Sequence, residues 1–140
     1  MKLVFITNLI NHHQVPLADE FYNHLGVDYK FITTMEMPSF LRKGGYPEYP
    51  EKKYLLEAFT TKENKEKALQ LINEADVVIT GAAPEEYFKQ RLKEKRLTFF
   101  YNERWLKTKW RIIDYPRKKY QHRFNKNSNL YYLAAGAFVS

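Results

Sequence analysis

Cysteine is absent from the 140-residue chain. Without it there is no disulfide framework and no thiolate metal site, and this composition fits a reducing compartment, so we expect a cytoplasmic protein. Long hydrophobic runs are missing from the N-terminus as well. The apolar stretch Leu3–Ile6 breaks at Thr7-Asn8, which is too short for a secretory signal or a membrane span. This stretch is therefore interpreted as a buried strand.

The glycine fingerprints of phosphate binding are missing too. The chain contains no G-x-x-x-x-G-K-[ST], and its first predicted strand is not followed by G-x-G-x-x-G. The P-loop and dinucleotide-binding classes therefore lose their strongest support. His12 and His13 are adjacent, and neighbouring side chains in a turn rarely converge on one ion; no His, Asp or Glu partner stands at ligand spacing. We predict no metal site and no bound cofactor.

Short runs of β-branched and aromatic residues alternate with segments of helical periodicity. This alternation is typical of a parallel sheet covered by helices. The expected fold is an α/β, Rossmann-like three-layer α/β/α domain with a parallel sheet of five to six strands, and residues 1–140 are expected to form this single domain. The predicted strands are Lys2–Thr7, Tyr29–Thr34, Asp76–Thr80, Leu97–Tyr101 and Leu130–Ala134, with a weaker sixth at Tyr54–Phe59.

Helix signals lie between these strands. Pro16 suits a first helical turn and Gly26 is placed to end the same helix, whose apolar residues recur at four-residue spacing. Thr60 and Glu63 have capping-box spacing before a second helix, and Pro84 is expected to open a third. Two further predictions are a long, poorly packed loop over Met35–Pro50, which holds three prolines and a Gly-Gly pair, and a helix from about Pro116.

Positive charge is concentrated in one segment. The net charge is +7, and Arg104–Lys126 contains nine basic residues against Asp114 alone, so the rest of the chain is close to neutral. This points to local contact with phosphate or an anionic surface. Tyr120 and Phe124 at four-residue spacing favour inward packing over base stacking, so nucleic acid is not expected. Two interpretations of Arg117–Lys126 are left open: a basic face that contacts anionic lipid at the inner side of the membrane, or a plain solvated face.

Polar and ionisable residues follow several predicted strands. Because ligands bind at the carboxyl ends of parallel strands, we expect Asn11–Gln14, Gly81 and Glu103-Arg104 at one edge of the sheet. An imidazole at a helix start can act as a general base or a hydrogen-bond donor, or it can merely satisfy loop backbone groups. Glu103 can accept a hydroxyl proton and Arg104 can hold phosphate, unless the two form a structural ion pair. Gly81 lies in a tight turn whose N–H groups can approach an anion or a sugar.

The order of these motifs resembles bacterial glycosyltransferases of the GT-B fold. The likeness is to the N-terminal domain of group-1, capsular or polysaccharide type enzymes, and it covers nearly the whole chain in outline. The stretches that carry it are Thr7-Asn8, Asn11–Pro16, Thr80–Glu85, Asn102–Arg104 and Tyr132–Ser140. The chain also stops just after a strand and a small-residue turn, which predicts one half of a larger protein.

The resemblance implies a hexosyltransferase type enzyme of two Rossmann-like domains, of which this chain is the acceptor-side domain. A nucleotide-sugar donor would be held mainly by the C-terminal domain, and a saccharide or lipid-linked acceptor would bind here, in cell-surface polysaccharide synthesis. His13 and Glu103 are the catalytic candidates, with His12 as the alternative to His13. The substrate-binding candidates are Asn11, His12, Gln14, Gly81 and Arg104.

By this resemblance the 140-residue chain alone is expected to transfer nothing. The alternative function is a complete, basic α/β binding module that docks on nucleic acid or on an anionic membrane. The two hypotheses differ in what they require of Arg117, Lys118 and Lys119, because binding to nucleic acid would fall steeply with salt.

Overall fold

The domain is built on one sheet of six parallel strands. A computed structural model of the chain describes residues 1–102 and 129–134. The spatial order is β3-β2-β1-β4-β5-β6, and every neighbouring pair is parallel, which is the strand order of the Rossmann fold. The α/β class and the sheet of five to six parallel strands are thus confirmed. The strands are β1 (Leu3–Thr7), β2 (Tyr29–Thr33), β3 (Leu55–Glu57), β4 (Val77–Thr80), β5 (Thr98–Asn102) and β6 (Leu130–Ala134).

Between β1 and β5, helices connect the strands and cover both faces of the sheet. Within the described residues the α-helices are α1 (Val15–Leu25), α2 (Ser39–Lys43), α3 (Lys62–Glu74) and α4 (Lys89–Lys93), with short 3-10 turns at Gly26–Asp28 and Glu85–Tyr87. None of these helices combines the length and the hydropathy that a membrane span needs. Gly26 follows α1 with a φ of 56°, a conformation that glycine adopts without a steric penalty, so its predicted role in ending the helix is confirmed.

The central strand β1 explains why the core has two layers. All five of its residues are buried, as a strand covered on both faces requires. Its side chains alternate: Leu3 and Phe5 pack on the face covered by α1, while Val4 and Ile6 pack on the face covered by α3 and α4. Full burial of each such side chain contributes roughly 1.5–3 kcal/mol. These contacts hold α1 on one side of the sheet and α3 on the other.

Two helix starts differ from the sequence prediction. Thr61, rather than Thr60, caps α3, because the Thr61 hydroxyl accepts a hydrogen bond from the Asn64 amide at 3.0 Å, whereas the Thr60 hydroxyl donates to the carbonyl of Glu57 at 2.8 Å. The helix expected to open at Pro84 is broken into the 3-10 turn and α4, since Phe88 between them, with φ −122° and ψ 0°, departs from helical geometry. Tyr87, Phe88 and Leu92 in this stretch are buried.

Arg91 fixes the amino edge of the sheet. It is fully buried, and all five N–H donors of its guanidinium are used. One bond goes to the hydroxyl of Thr98, and the others go to the main-chain carbonyls of Ile72, Ala75, Asp76 and Leu97, at 2.7–3.2 Å. Burial lowers the pKa of Arg91 to about 10, with a smaller contribution from Arg96. The end of α3 and the starts of β4 and β5 are therefore tied to one side chain of α4.

Candidate functional site at the carboxyl edge of the sheet

The strand order reverses between β1 and β4. From β1 the chain proceeds outward through β2 and β3, and from β4 it proceeds the other way through β5 and β6. Segments that leave the carboxyl ends of β1 and β4 therefore diverge to opposite faces and leave a crevice, which is where open α/β sheets bind ligands. The predicted site residues Asn11–Gln14 follow β1, and Gly81 follows β4. They lie at the same edge of the sheet, on the two central strands.

Gly81 packs directly against β1. Its amide donates to the carbonyl of Ile6 at 2.8 Å, which extends the parallel pairing by one residue. A Cβ at position 81 would lie 2.8 Å from Thr7 Oγ1 and 3.2 Å from Thr7 Cβ. Because Thr7 is itself buried, a larger residue could be accommodated only by displacing β1. The close approach accounts for glycine here, and the predicted contact of Gly81 with substrate stays a prediction.

The turn after β1 is held by its own side chains. Asn11 Oδ1 accepts from the amides of His13 and Gln14 at 3.0 and 3.2 Å, and Gln14 Oε1 accepts from the amide of Asn11 at 3.2 Å. This is the reciprocal pattern of a capping box, three residues apart, and it closes the turn that leads into α1, which begins at Val15. Asn11 and Gln14, predicted as substrate-binding residues, thus have a structural role. The N-x-x-Q spacing before Pro16 was the signal for it in the sequence.

His12 and His13 are the exposed side chains of this turn. Their ring centroids are 3.8 Å apart, and the ring of Tyr46 meets His12 edge-on at 5.9 Å. Both imidazoles face solvent, while the turn is closed by the side chains of Asn11 and Gln14 and by main-chain bonds. They are therefore free to meet a ligand. Both imidazoles are exposed, so the choice of His13 over His12 stays a prediction.

The remaining predicted site residues lie beyond the end of β5. This strand ends at Asn102, at the same edge as the ends of β1 and β4, because all three strands run in parallel. Glu103 and Arg104 lie outside the described residues, as do the basic segment Arg117–Lys126 and the helix predicted from Pro116. Their predicted roles therefore stay predictions.

Residues 35–50, called the 35–50 segment below, cross the same edge beside β1. The amide of Met35 donates to the carbonyl of Asn8 at 3.1 Å, and the amide of Thr34 donates to the carbonyl of Thr7 at the same distance. The sequence prediction of an irregular, poorly packed loop is wrong in part, because Ser39–Lys43 form α2. Phe40 on that helix is nevertheless 71% exposed. Tyr46 brings the segment to His12, a contact that sequence reasoning missed.

A cavity of about 100 Å³ lies beneath this segment, next to the ends of β2 and β3. Its floor contains Thr33 and Ile10, both buried, and its rim contains the exposed Arg42, Glu48 and Glu57. Arg42 Nε donates to Glu48 Oε1 at 2.6 Å; this hydrogen bond and the charge of Glu48 raise the pKa of Arg42. Sequence reasoning missed this cavity, although Thr33 lies in the predicted strand Tyr29–Thr34.

A polar cluster anchors the far end of the 35–50 segment to α1. Lys52 Nζ donates to both carboxylate oxygens of Asp19 at 2.8 and 2.9 Å, and the Tyr54 hydroxyl donates to Asp19 Oδ1 at 2.7 Å. Burial raises the pKa of Asp19, but these hydrogen bonds and the charge of Lys52 outweigh it and hold the pKa below its usual value. Since Tyr54 leads directly into β3, the cluster fixes that strand against α1 and so fixes one wall of the cavity.

The described residues contain no group of three or more His, Asp or Glu side chains arranged to hold a metal ion. The chemistry offered at the carboxyl edge is therefore that of two exposed imidazoles, the N–H groups of tight turns, and hydroxyl and carboxylate groups around a cavity. Such a set can bind a polar ligand through hydrogen bonds and can move a proton.

The fold is that of a Rossmann-like α/β domain, and the carboxyl edge of its sheet carries polar side chains. No family model, curated protein or solved structure matches the chain.

Proposed function

We propose that this chain is the acceptor-side domain of a glycosyltransferase, which transfers a sugar from a nucleotide-sugar to a saccharide or lipid-linked acceptor. The observation that carries the proposal is the turn Asn11–Gln14 at the carboxyl end of β1, which exposes two imidazoles beside the point where the strand order reverses. The likeness of the sequence motifs to GT-B enzymes adds to it.

The proposed chemistry assigns His13 the proton transfer. Imidazole exchanges its proton in the neutral range, so it can accept the proton of an attacking acceptor hydroxyl. Glu103 is proposed to orient that hydroxyl and Arg104 to contact phosphate. His12 and Gly81 are proposed to line the path of the substrate, and Asn11 and Gln14 to keep the turn in place. The nucleotide-sugar is proposed to bind mainly to a second domain.

The test measures sugar transfer from radiolabelled nucleotide-sugars to saccharide acceptors, first with the 140-residue chain and then with the product of the complete reading frame that contains it. We expect no transfer by the chain alone. In the complete protein, His13→Ala should lower turnover by a hundredfold or more, on the order of what loss of a general base costs. Folding, measured by circular dichroism, should be unchanged, because the side chain is exposed.

His24→Ala is the matched control. His24 is also exposed, but it lies in the last turn of α1, at the opposite edge of the sheet, where it pairs with Glu20 at 3.8 Å. It should leave turnover unchanged. Transfer by the chain alone would contradict the two-domain proposal, and equal rates for the two variants would contradict the role of His13.

Contact with an anionic membrane is proposed for Arg117–Lys126, on the density of basic residues in the sequence. The test is co-sedimentation with vesicles that contain phosphatidylserine or phosphatidylcholine alone. Binding only to the anionic vesicles, lost when Arg117, Lys118 and Lys119 are changed to Glu, would support it. Displacement by an oligonucleotide would favour the alternative, a nucleic-acid-binding module.

A further inference from the structure

The cavity beneath the 35–50 segment has an unsatisfied polar group in its floor. Thr33 is 3% exposed, and its hydroxyl has no hydrogen-bond partner within the part of the chain that the structure describes. Along β2, Thr33 shares a face with Phe31 and Tyr29, the face on which Ile10, Tyr49 and Leu55 also pack. These last three line the cavity together with Thr33. A buried hydroxyl without a partner destabilises the fold, so its retention here favours a ligand that supplies the missing bond.

The rim of the cavity carries a carboxylate, that of Glu57. Glu57 is the register partner of Thr33 on the neighbouring strand, so both side chains stand on the same face of the sheet. The side chains of Thr60 and Asn64 donate to the main-chain carbonyl of Glu57, and no described residue pairs with its carboxylate. Arg42 does not supply a counter-charge, because it is committed to Glu48 at 2.6 Å and also lies 3.6 Å from Glu36. The cavity therefore has a surplus of negative charge beside a free hydroxyl.

The walls between floor and rim are apolar. Leu9, Tyr49 and Leu55 contribute side chains there, so a ligand must bring both C–H surface and hydroxyl or amine groups. A sugar ring has this combination, with C–H groups on its faces and hydroxyls around its edge. The size fits one end of such a ring, since a volume of 100 Å³ compares with about 30 Å³ for each water of the liquid.

We propose that this cavity binds the terminal residue of a neutral saccharide, with Thr33 Oγ1 and the Glu57 carboxylate as its hydrogen-bond partners. The proposal deepens the proposed function, on which it rests for the saccharide class, by placing the acceptor at β2 and β3. It also specifies the charge: sugars with a carboxylate or phosphate group are rejected, because Glu57 repels them and Arg42 is not available to neutralise them.

The experiment is a titration of the 15N-labelled 140-residue chain with D-glucose, D-galactose, N-acetylglucosamine and D-glucuronate, followed by NMR. At least one neutral sugar should shift the amides of Ile10, Thr33 and Glu57, and glucuronate should bind at least tenfold more weakly than that sugar. Thr33→Val should weaken the neutral sugar roughly tenfold while raising the melting temperature, because it removes a buried hydroxyl that only the ligand satisfies. Glu57→Gln should reduce the discrimination against glucuronate.

Matched variants separate binding from stability. Tyr29→Phe also removes a buried, unpartnered hydroxyl on the same face of β2, but Tyr29 does not line the cavity, so sugar affinity should stay the same. Glu63→Gln changes an exposed carboxylate on α3 and should change neither property. If Thr33→Val fails to fold, Glu57→Gln still tests the proposal, because Glu57 is exposed and its change should not disturb folding.

The inference is overturned if no sugar shifts these amides at its solubility limit, or if Thr33→Val and Glu57→Gln bind sugars as the wild type does. The assay needs no donor, so its failure is distinct from failure of the proposed function. A chain that binds sugars in this way, within a complete protein that transfers none, would uphold the cavity and refute the transferase. Sugar transfer by a complete protein whose cavity binds no sugar would uphold the transferase and refute the cavity.

Discussion

Replacement of Arg91 by methionine should be among the most destabilising single changes in this domain. The side chain is 0% exposed and donates five hydrogen bonds, four of them to main-chain carbonyls. After the change Ala75 keeps a bond from Arg96, and Leu97 keeps one from the amide of Val78. The carbonyls of Ile72 and Asp76 lose their guanidinium donor. Because Arg91 joins three elements, its loss loosens the end of α3 and the starts of β4 and β5 together.

The magnitude follows from these bonds. A buried carbonyl left without a donor costs about 1–3 kcal/mol, so two of them cost roughly 2–6 kcal/mol. Methionine also removes a buried charge that forms no ion pair with a described residue, although Asp76 and Glu94 act on it at longer range, and this relief offsets part of the loss. We expect the free energy of unfolding to fall by about 3–5 kcal/mol, a large share of the roughly 5–15 kcal/mol of an ordinary domain.

Urea denaturation followed by circular dichroism measures this change directly, provided that the slope with urea stays constant between variants. Arg96→Met is the control for a half-buried arginine, which bonds the single carbonyl of Ala75 and should cost about 1 kcal/mol. Arg91→Lys keeps the charge but not the planar fork of five donors, so it should be nearly as harmful as the methionine variant. A loss under about 1 kcal/mol for Arg91→Met would refute this reasoning.

Three further predictions concern the α1 side of the sheet. As the pH falls below about 4, the wild type should lose more stability than Asp19→Asn. Folding lowers the pKa of the Asp19 carboxyl, so this group stabilises the fold only while it is ionised. Parallel pH profiles of the two proteins in thermal melts would contradict this prediction. Tyr54→Phe should lower the free energy of unfolding by about 1.5–3 kcal/mol, because it removes a bond to a carboxylate, whereas Tyr29→Phe should leave it unchanged or raise it; equal losses in chemical denaturation would rule this out. Gly81→Ala should lower the free energy of unfolding by about 1–3 kcal/mol, because the new Cβ collides with Thr7. Thr7→Ala in the same chain should restore part of this loss. Additive losses in that double-mutant cycle would show that the collision is absent.

The strands were predictable from the sequence because each is a short run of apolar, β-branched and aromatic residues between polar segments. Leu130–Ala134 was predicted with its observed bounds. The predictions for β1, β2 and β4 are each one residue too long, and the prediction for β5 is shifted by one residue at both ends. The weaker signal at Tyr54–Phe59 corresponds to β3, which is only three residues long and lies at the edge of the sheet. Edge strands are covered by fewer neighbours, so fewer of their residues need to be apolar.

The site was predictable only in its placement. The parallel order of the strands puts Asn11–Gln14 and Gly81 at one edge, and this much follows from counting strands. What the sequence could not show is the use of each side chain. Whether Asn11 meets a substrate or the amide of His13 depends on a turn geometry that composition does not determine. The cavity was missed for a similar reason, since Thr33 and Glu57 are 24 residues apart along the chain and become neighbours only through the register of β2 and β3.

The capping box at the start of α1 divides four consecutive residues into two kinds of position. Asn11 and Gln14 close the turn with their side chains, so a change at either also changes how the helix begins. His12 and His13 contribute only main chain to that closure, and their rings are exposed. Selection can therefore exchange the chemistry displayed at 12 and 13 through single substitutions that need no compensation elsewhere in the domain. A scaffold of this kind can acquire a new substrate before it has to acquire a new fold.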